Sequence, residues 1–132
     1  MSGKTLPNAC NIMAIIRIKN LLLRTYIGFN EEEISKLQDV IINMTIEVDL
    51  SHAIRHDSVD GSYNYKVITK KVIALVQEQK FMMLEKLTQT ILDEIMKSKE
   101  VCFAKVEVDK PHALRFAESV SVELSATRNV SG

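Results

Sequence analysis

Residues 40–50 constrain the fold more than any other stretch. Val40, Ile42, Met44, Ile46, Val48 and Leu50 are apolar, Asn43, Thr45, Glu47 and Asp49 fall between them, and Ile41 is the exception. A period of two belongs to a strand with one buried face. Something apolar must cover that face. With 132 residues the chain can build one core and one domain around it.

The rest of the chain supplies both more strand and the cover. Ala14–Gly28 is β-like, with Ile16 and Ile18 alternating with Arg17 and Lys19 before Leu21, Leu22 and Leu23. An acidic loop, Phe29–Asp39, would join it to Val40–Leu50 as a long hairpin. Ser51–Ser62 is polar and reads as a loop. Helical spacing follows: Ile68, Val72, Leu75 and Val76 form one stripe, and Leu84, Leu87, Ile91, Leu92 and Ile95 a second. Gln79–Met83 between them is short, so the two helices follow one another directly. Glu100–Lys110 and Ser119–Ala126 are a second pair of strands, the latter with Val120, Val122 and Leu124 in phase. The order β-β-α-α-β-β has no long crossover. It predicts an α+β fold, one antiparallel sheet with two helices on one face. The other face is polar but not highly charged, with Asn43, Thr45, Ser119 and Ser121. Exposed sheet edges need cover, which a ring of subunits closing their sheets into a barrel would give.

Composition narrows the function classes. Lys plus Arg and Asp plus Glu both number 17, so the formal net charge is zero. Nothing global favours nucleic acid or a membrane surface, and no apolar run reaches the length of a span. Cys10 and Cys102 do not make a disulfide framework. Cys102 alternates with Ala104, Val106 and Val108 and reads as a small core residue. Residues 1–13 read as a disordered leader, 14–127 as the domain and 128–132 as a tail, in a cytoplasmic protein. Ser2-Gly3-Lys4-Thr5 looks like the end of a phosphate loop, but its upstream glycine and strand are missing.

Few residues offer chemistry on their own. His52 and His56 lie in a polar loop with only His112 elsewhere, and no Cys pair accompanies them, so no metal site is expected. No serine elbow is present, and an inward Cys102 gives no nucleophile. Residues 106–115 stand out. Val106 and Val108 alternate with Glu107 and Asp109, and the strand then runs into Lys110, Pro111, His112 and Arg115. Pro111 has no ladder donor, so pairing should stop there. Cationic groups past the end of a rigid strand are placed to hold an anion or move a proton. A solvated basic turn is the plain alternative. Glu85 follows the first residue of the second stripe, where helix amides and dipole favour its carboxylate form. A helix-start glutamate that only complements the dipole is the plain alternative there.

Four segments at element boundaries carry a resemblance. They are Ile27-Gly28-Phe29-Asn30-Glu31-Glu32-Glu33 with Gln38, Tyr63-Asn64-Tyr65-Lys66-Val67, Leu84-Glu85-Lys86-Leu87-Thr88-Gln89, and the strand end at Lys110. In order and spacing the chain resembles the dihydroneopterin aldolase family from about Ala14 to Ser125. Within it, Ile15–Gly28, Leu84–Gln89 and Asp109–Ser121 resemble the epimerase branch. The aldolase branch usually has a Gly after the Lys-Pro pair, and here His112-Ala113-Leu114-Arg115 follows instead.

The resemblance implies the tunnelling fold, in which four subunits close one barrel and two rings stack into a homo-octamer with sites between adjacent subunits. It implies a pterin substrate, no cofactor, and inversion of carbon 2' of 7,8-dihydroneopterin triphosphate by retro-aldol and aldol steps. Cleavage to 6-hydroxymethyl-7,8-dihydropterin and glycolaldehyde is the alternative, and pterin binding without catalysis a third. By resemblance Glu85, beside Leu84, would anchor the pterin and Lys110 would act as general acid/base through a water. Tyr65 of a neighbouring subunit would shuttle a proton, Glu33 would orient the side chain or Lys110, and Gln38 would contribute. Beyond the family pattern, an epimerase must retain its phosphorylated fragment. Arg115 together with His112 would then grip the triphosphate, unless Arg115 pairs with Glu118 or Glu123 at the surface.

Overall fold

The computed structural model describes residues 12–57 and 63–128, with the side chains of residues 52, 55 and 56 outside that description. Its elements are β1 (Met13–Ile27), α1 (Glu31–Ile34), β2 (Leu37–Asp49), α2 (Ser51–His56), α3 (Tyr65–Glu78), β3 (Lys80–Phe81), α4 (Leu84–Met96), β4 (Val101–Pro111) and β5 (Ser119–Thr127). The alternation in β2 does what its period requires. Val40, Ile42, Met44, Ile46 and Val48 are buried, while Asn43, Thr45 and Glu47 are only partly covered. Ile68, Val72 and Val76 of α3 and Leu87, Ile91, Leu92 and Ile95 of α4 cover them. Each large apolar side chain so buried contributes roughly 1.5–3 kcal/mol by leaving water.

The strand order is β3-β1-β2-β4-β5. The four long strands are antiparallel, as expected, but β3 pairs parallel to the end of β1 through Tyr26↔Lys80 and Ile27↔Phe81. The sheet is therefore mixed rather than purely antiparallel. The short link between the helices returns alongside β1 in the same direction, and two residues of it pair.

Two bulges explain where simple alternation misleads. In β1 the register steps from Ile18↔Met44 to Leu21↔Ile42, so one extra residue is inserted. Asn20 takes it up at φ 53°, and its N–H donates to the Asn43 side chain at 2.9 Å. Ile18 and Leu21 thus both face inward, and Leu22 is 60 % exposed. In β4 the register passes from Glu47↔Phe103 to Val48↔Val101. Val101 takes the buried place and Cys102 is only half-buried, which corrects its reading as a core residue.

Other boundaries shift as well. The expected loop at 29–39 contains α1, because Asn30 caps it and accepts from the Glu33 N–H at 2.9 Å. The expected loop after Leu50 begins with α2, opened by Ser51, whose backbone N–H and hydroxyl both bond Asp49. His52 and His56 sit on that helix with side chains outside the described residues. Met13, assigned to the leader, begins β1, and residues 1–11 lie outside the description. Arg128, assigned to the tail, donates to the carbonyls of Val101, Met96 and Ser98 and ties off the end of α4. The outer sheet face is more charged than expected. The register sets Arg17, Thr45, Lys105 and Ser125 in one row and Glu107 opposite Glu123 in the next, with Lys105 3.9 Å from Glu123. Among the described residues no helix is long and apolar enough to cross a membrane.

Candidate active site

Lys110 pairs with Val120 and so continues the inward row of Val106 and Val108. Its ammonium therefore points to the helix-covered side of the sheet, at the sheet's end, rather than into a solvated turn. Regular pairing stops at Pro111↔Ser119, as a residue without an N–H requires. The Lys110 Nζ donates to Glu33 Oε2 at 2.5 Å, and the two side chains are only 13 % and 23 % exposed. A pair this shielded is worth more than a surface ion pair.

Glu33 reaches Lys110 because of what precedes it. Gly28 has φ +136°, and a Cβ there would stand 2.3 Å from the Glu33 carboxyl carbon. Only glycine combines that backbone with so close an approach. The Gly28 N–H donates to Phe81 at 2.9 Å, and the Gln38 amide donates to the Ile27 carbonyl at 2.7 Å. The turn that delivers Glu33 is thus pinned from both β3 and β2. The hydrogen bond from Lys110 lowers the Glu33 carboxyl below its ordinary value. Burial opposes this, and the Lys110 charge and the Asn30 and Phe29 backbone assist it. Beside Glu33 lies a small cavity of about 120 Å³ bounded by Tyr26, Gly28, Ile34, Lys80, Phe81 and Met82. Lys80 Nζ rests 4.8 Å from the Tyr26 ring centre.

Glu85 is the second residue of α4 and is exposed. Its carboxylate makes no hydrogen bond or ion pair among the described residues. Beside it an open groove of about 670 Å³ runs between α4 and β5, lined by Met83, Gln89, Leu124 and Ser125 among others. Leu84, the first residue of α4, is half-buried against the core. Because β3 pairs with the last two residues of β1, the start of α4, the Gly28 turn and Lys110 all lie at one end of the sheet.

Tyr65 does not lie there. It opens α3, capped by Asn64, and is 52 % exposed. The far end of α3 is fastened to β1 by the Thr25 hydroxyl, which donates to Val76 at 2.6 Å, and leads into β3. A helix of 14 residues puts Tyr65 about 20 Å from that end. One chain therefore brings together Glu33, Lys110 and Gln38, sets Glu85 and Leu84 at the same end, and leaves Tyr65 at the other. His112 and Arg115 are on the β4–β5 hairpin tip, residues 112–118, all of them exposed. Among the described residues no cluster of His, Cys, Asp and Glu gathers a metal's ligands.

Lys80 and Phe81 were not singled out by sequence, and Gly28 entered only as part of the Ile27–Glu33 segment, without a role. A two-residue strand has no period to read. The glycine just before an acidic capped turn was the available signal.

Residues 16–125 match the family model described as FolB, dihydroneopterin aldolase. The chain belongs to the dihydroneopterin aldolase family. It is 52 % identical over 116 residues to a Pseudomonas aeruginosa dihydroneopterin triphosphate 2'-epimerase, covering 88 % of this chain and 94 % of that one. To the Escherichia coli K12 protein of the same name it is 49 % identical over 115 residues, 87 % and 96 % of the two chains. Escherichia coli dihydroneopterin aldolase, solved in complex with neopterin, has the same fold, with a TM-score of 0.79 at 21 % identity over 86 % of this chain and 98 % of that one. The α+β fold with a mixed sheet is thus the family's fold.

Proposed function

We propose that the chain inverts carbon 2' of 7,8-dihydroneopterin triphosphate, giving 7,8-dihydromonapterin triphosphate. The Lys110–Glu33 pair at the inner end of the sheet carries this reading. Identity near one half with the two epimerases, over almost the whole domain, supports it.

The chemistry follows from the substrate. The 2'-hydroxyl is β to the ring C6=N5 imine. Removing its proton breaks C1'–C2' and sends the electron pair into the ring, where N5 is protonated. An enamine and a two-carbon aldehyde bearing the triphosphate result. Re-addition through the aldehyde's other face restores C1'–C2' with C2' inverted. The pterin is its own electron sink, and no cofactor is called for.

Glu85 anchors the ring, its two oxygens accepting from the 2-amino and N3–H groups, with Leu84 packed beside it. Lys110 moves the proton through a water between N5 and the 2'-oxygen. Glu33 holds the ammonium in place. Gln38 is a positioning residue, since its amide is engaged by the Ile27 carbonyl. Tyr65 reaches the site from an adjacent subunit. Strand edges support such an arrangement. β5 ends the sheet on one side, and β1 is covered by β3 only at Tyr26 and Ile27. Pairing β5 of one copy with β1 of the next would close a ring of four, and two rings would make the octamer. The half-buried free thiol of Cys102 suits the reducing cytoplasm.

Cleavage to 6-hydroxymethyl-7,8-dihydropterin is the second reading, favoured by the family match itself. Both share the enamine. Incubation with 7,8-dihydroneopterin triphosphate and separation of the products decides between them. The 2'-epimer as main product is expected, and cleavage product alone would make the chain an aldolase.

A further inference from the structure

We propose that the β4–β5 hairpin tip is a phosphate clamp in which Arg115, held by Phe116, keeps the cleaved fragment in the site; this rests on the epimerase reading above. The tip begins immediately after Pro111, where His112 adopts φ 61°. That left-handed conformation is uncommon for a residue with a side chain and turns the backbone sharply just past Lys110. Phe116 is 95 % exposed and Leu114 58 %, so the tip makes little use of its apolar side chains within the chain. Phe116 does have one contact. The Arg115 guanidinium lies 5.5 Å from its ring centre. A cation over a ring at this distance is attracted to it without using the guanidinium N–H donors, which stay available to phosphate oxygens.

The charges at this end of the sheet are divided. Lys110 is engaged by Glu33. Arg115 has no carboxylate partner among the described residues, and Glu123 is paired with Lys105 instead. The surface-pairing alternative for Arg115 is therefore not what the structure adopts. Lys110 is committed to the proton and Lys80 rests over the Tyr26 ring, so at the hairpin tip Arg115 and the neighbouring His112 are the cationic groups offered to the triphosphate.

That division matters after the carbon–carbon bond breaks. The enamine stays held through the ring. The departing fragment is an aldehyde carrying only one strong handle, the triphosphate. A grip on the phosphates lets the aldehyde rotate about its own single bonds and offer its other face to C1', while preventing escape. The bond reforms, N5 and the 2'-oxygen exchange protons, and nothing is oxidised. Without the grip the fragment leaves, and the enamine tautomerises to 6-hydroxymethyl-7,8-dihydropterin. The clamp sets the ratio of epimer to cleavage product.

The test uses the full chain with 7,8-dihydroneopterin triphosphate and with its dephosphorylated counterpart, both products being quantified. With the triphosphate, Arg115→Gln raises the cleavage-to-epimer ratio about tenfold or more, the weight of a lost charge-assisted contact. With the dephosphorylated substrate the ratio stays within about twofold, since no phosphate is there to grip. Phe116→Leu, which removes the ring beside Arg115 at a position otherwise exposed, shifts the ratio in the same direction and less. Arg115→Gln also weakens binding of inorganic tripolyphosphate. Equal changes on both substrates, or an unchanged ratio with the triphosphate, would overturn the clamp. A wild-type protein that turns over neither substrate would remove the epimerase reading, and the clamp with it.

Discussion

The two ends of the sheet are built differently. At one end the chain ties itself off. Arg128 caps the last carbonyls of α4, Asn64 caps α3, and Ser51 accepts from the Ile12 N–H. At the other end lie a glycine at positive φ, a partly buried ion pair and a glutamate with no partner among the described residues, beside exposed Phe29, Ile34, Met82 and Met83. The first end spends its polar groups on stability. The second gathers an ion pair and an open carboxylate at one place, while exposed apolar side chains are found at both ends, with Ile12, Met13, Ile54 and Tyr65 at the first.

The comparison breaks first under paired substitutions. Lys110→Met should lower kcat about 10²–10⁴-fold, the range for a lost general acid/base, with a modest change in melting temperature. Arg128→Met should do the reverse, costing about 3 kcal/mol in denaturant unfolding while the folded protein keeps its kcat. Equal loss of activity from both would erase the distinction. Gly28→Ala comes next, because the added methyl must push Glu33 away and hold a strained φ. Stability should fall by about 1–3 kcal/mol, with kcat falling alongside.

Much of this was legible in the sequence. Strict alternation in residues 40–50 and two helical stripes were enough for four strands, two helices and the covered face. Lys110 and Glu85 stood out by their settings at element ends, each with a plain alternative beside it, and Glu33 was named only through the family resemblance. What escaped has physical causes. Bulges at Asn20 and Cys102 shift the phase by one residue, so Cys102 leaves the core. β3 is too short to carry a period. Whether Lys110 meets solvent or Glu33 depends on a contact across 77 residues of chain, which no local pattern encodes.

Smaller effects sharpen the comparison through pH. Glu33 has a lowered carboxyl in the folded protein, so the pair's stabilisation is present above the ordinary value of 4.5 and is lost as pH falls through the lowered one. Carbon-detected titration of Glu33 should show a midpoint below 4.5 in the wild type. In Lys110→Met the midpoint should rise, because burial then acts without its main opponent. The opposite end carries a defect of its own. The Tyr63 hydroxyl is buried with no hydrogen-bond partner among the described residues, and burial with Glu100 nearby pushes it up to about 12. Tyr63→Phe should stabilise the fold by about 1 kcal/mol at neutral pH. It should also flatten the loss of stability between about pH 10 and 12, where the unfolded tyrosine ionises and the folded one does not.

The central claim is that each site takes Lys110 from one subunit and Tyr65 from the next. Co-expression of Lys110→Met with Tyr65→Phe tests it most directly. Each variant alone should be nearly inactive, and mixed rings should regain about a quarter of wild-type kcat, because one site in four then carries both native residues. Mixed oligomers no more active than either parent would contradict it.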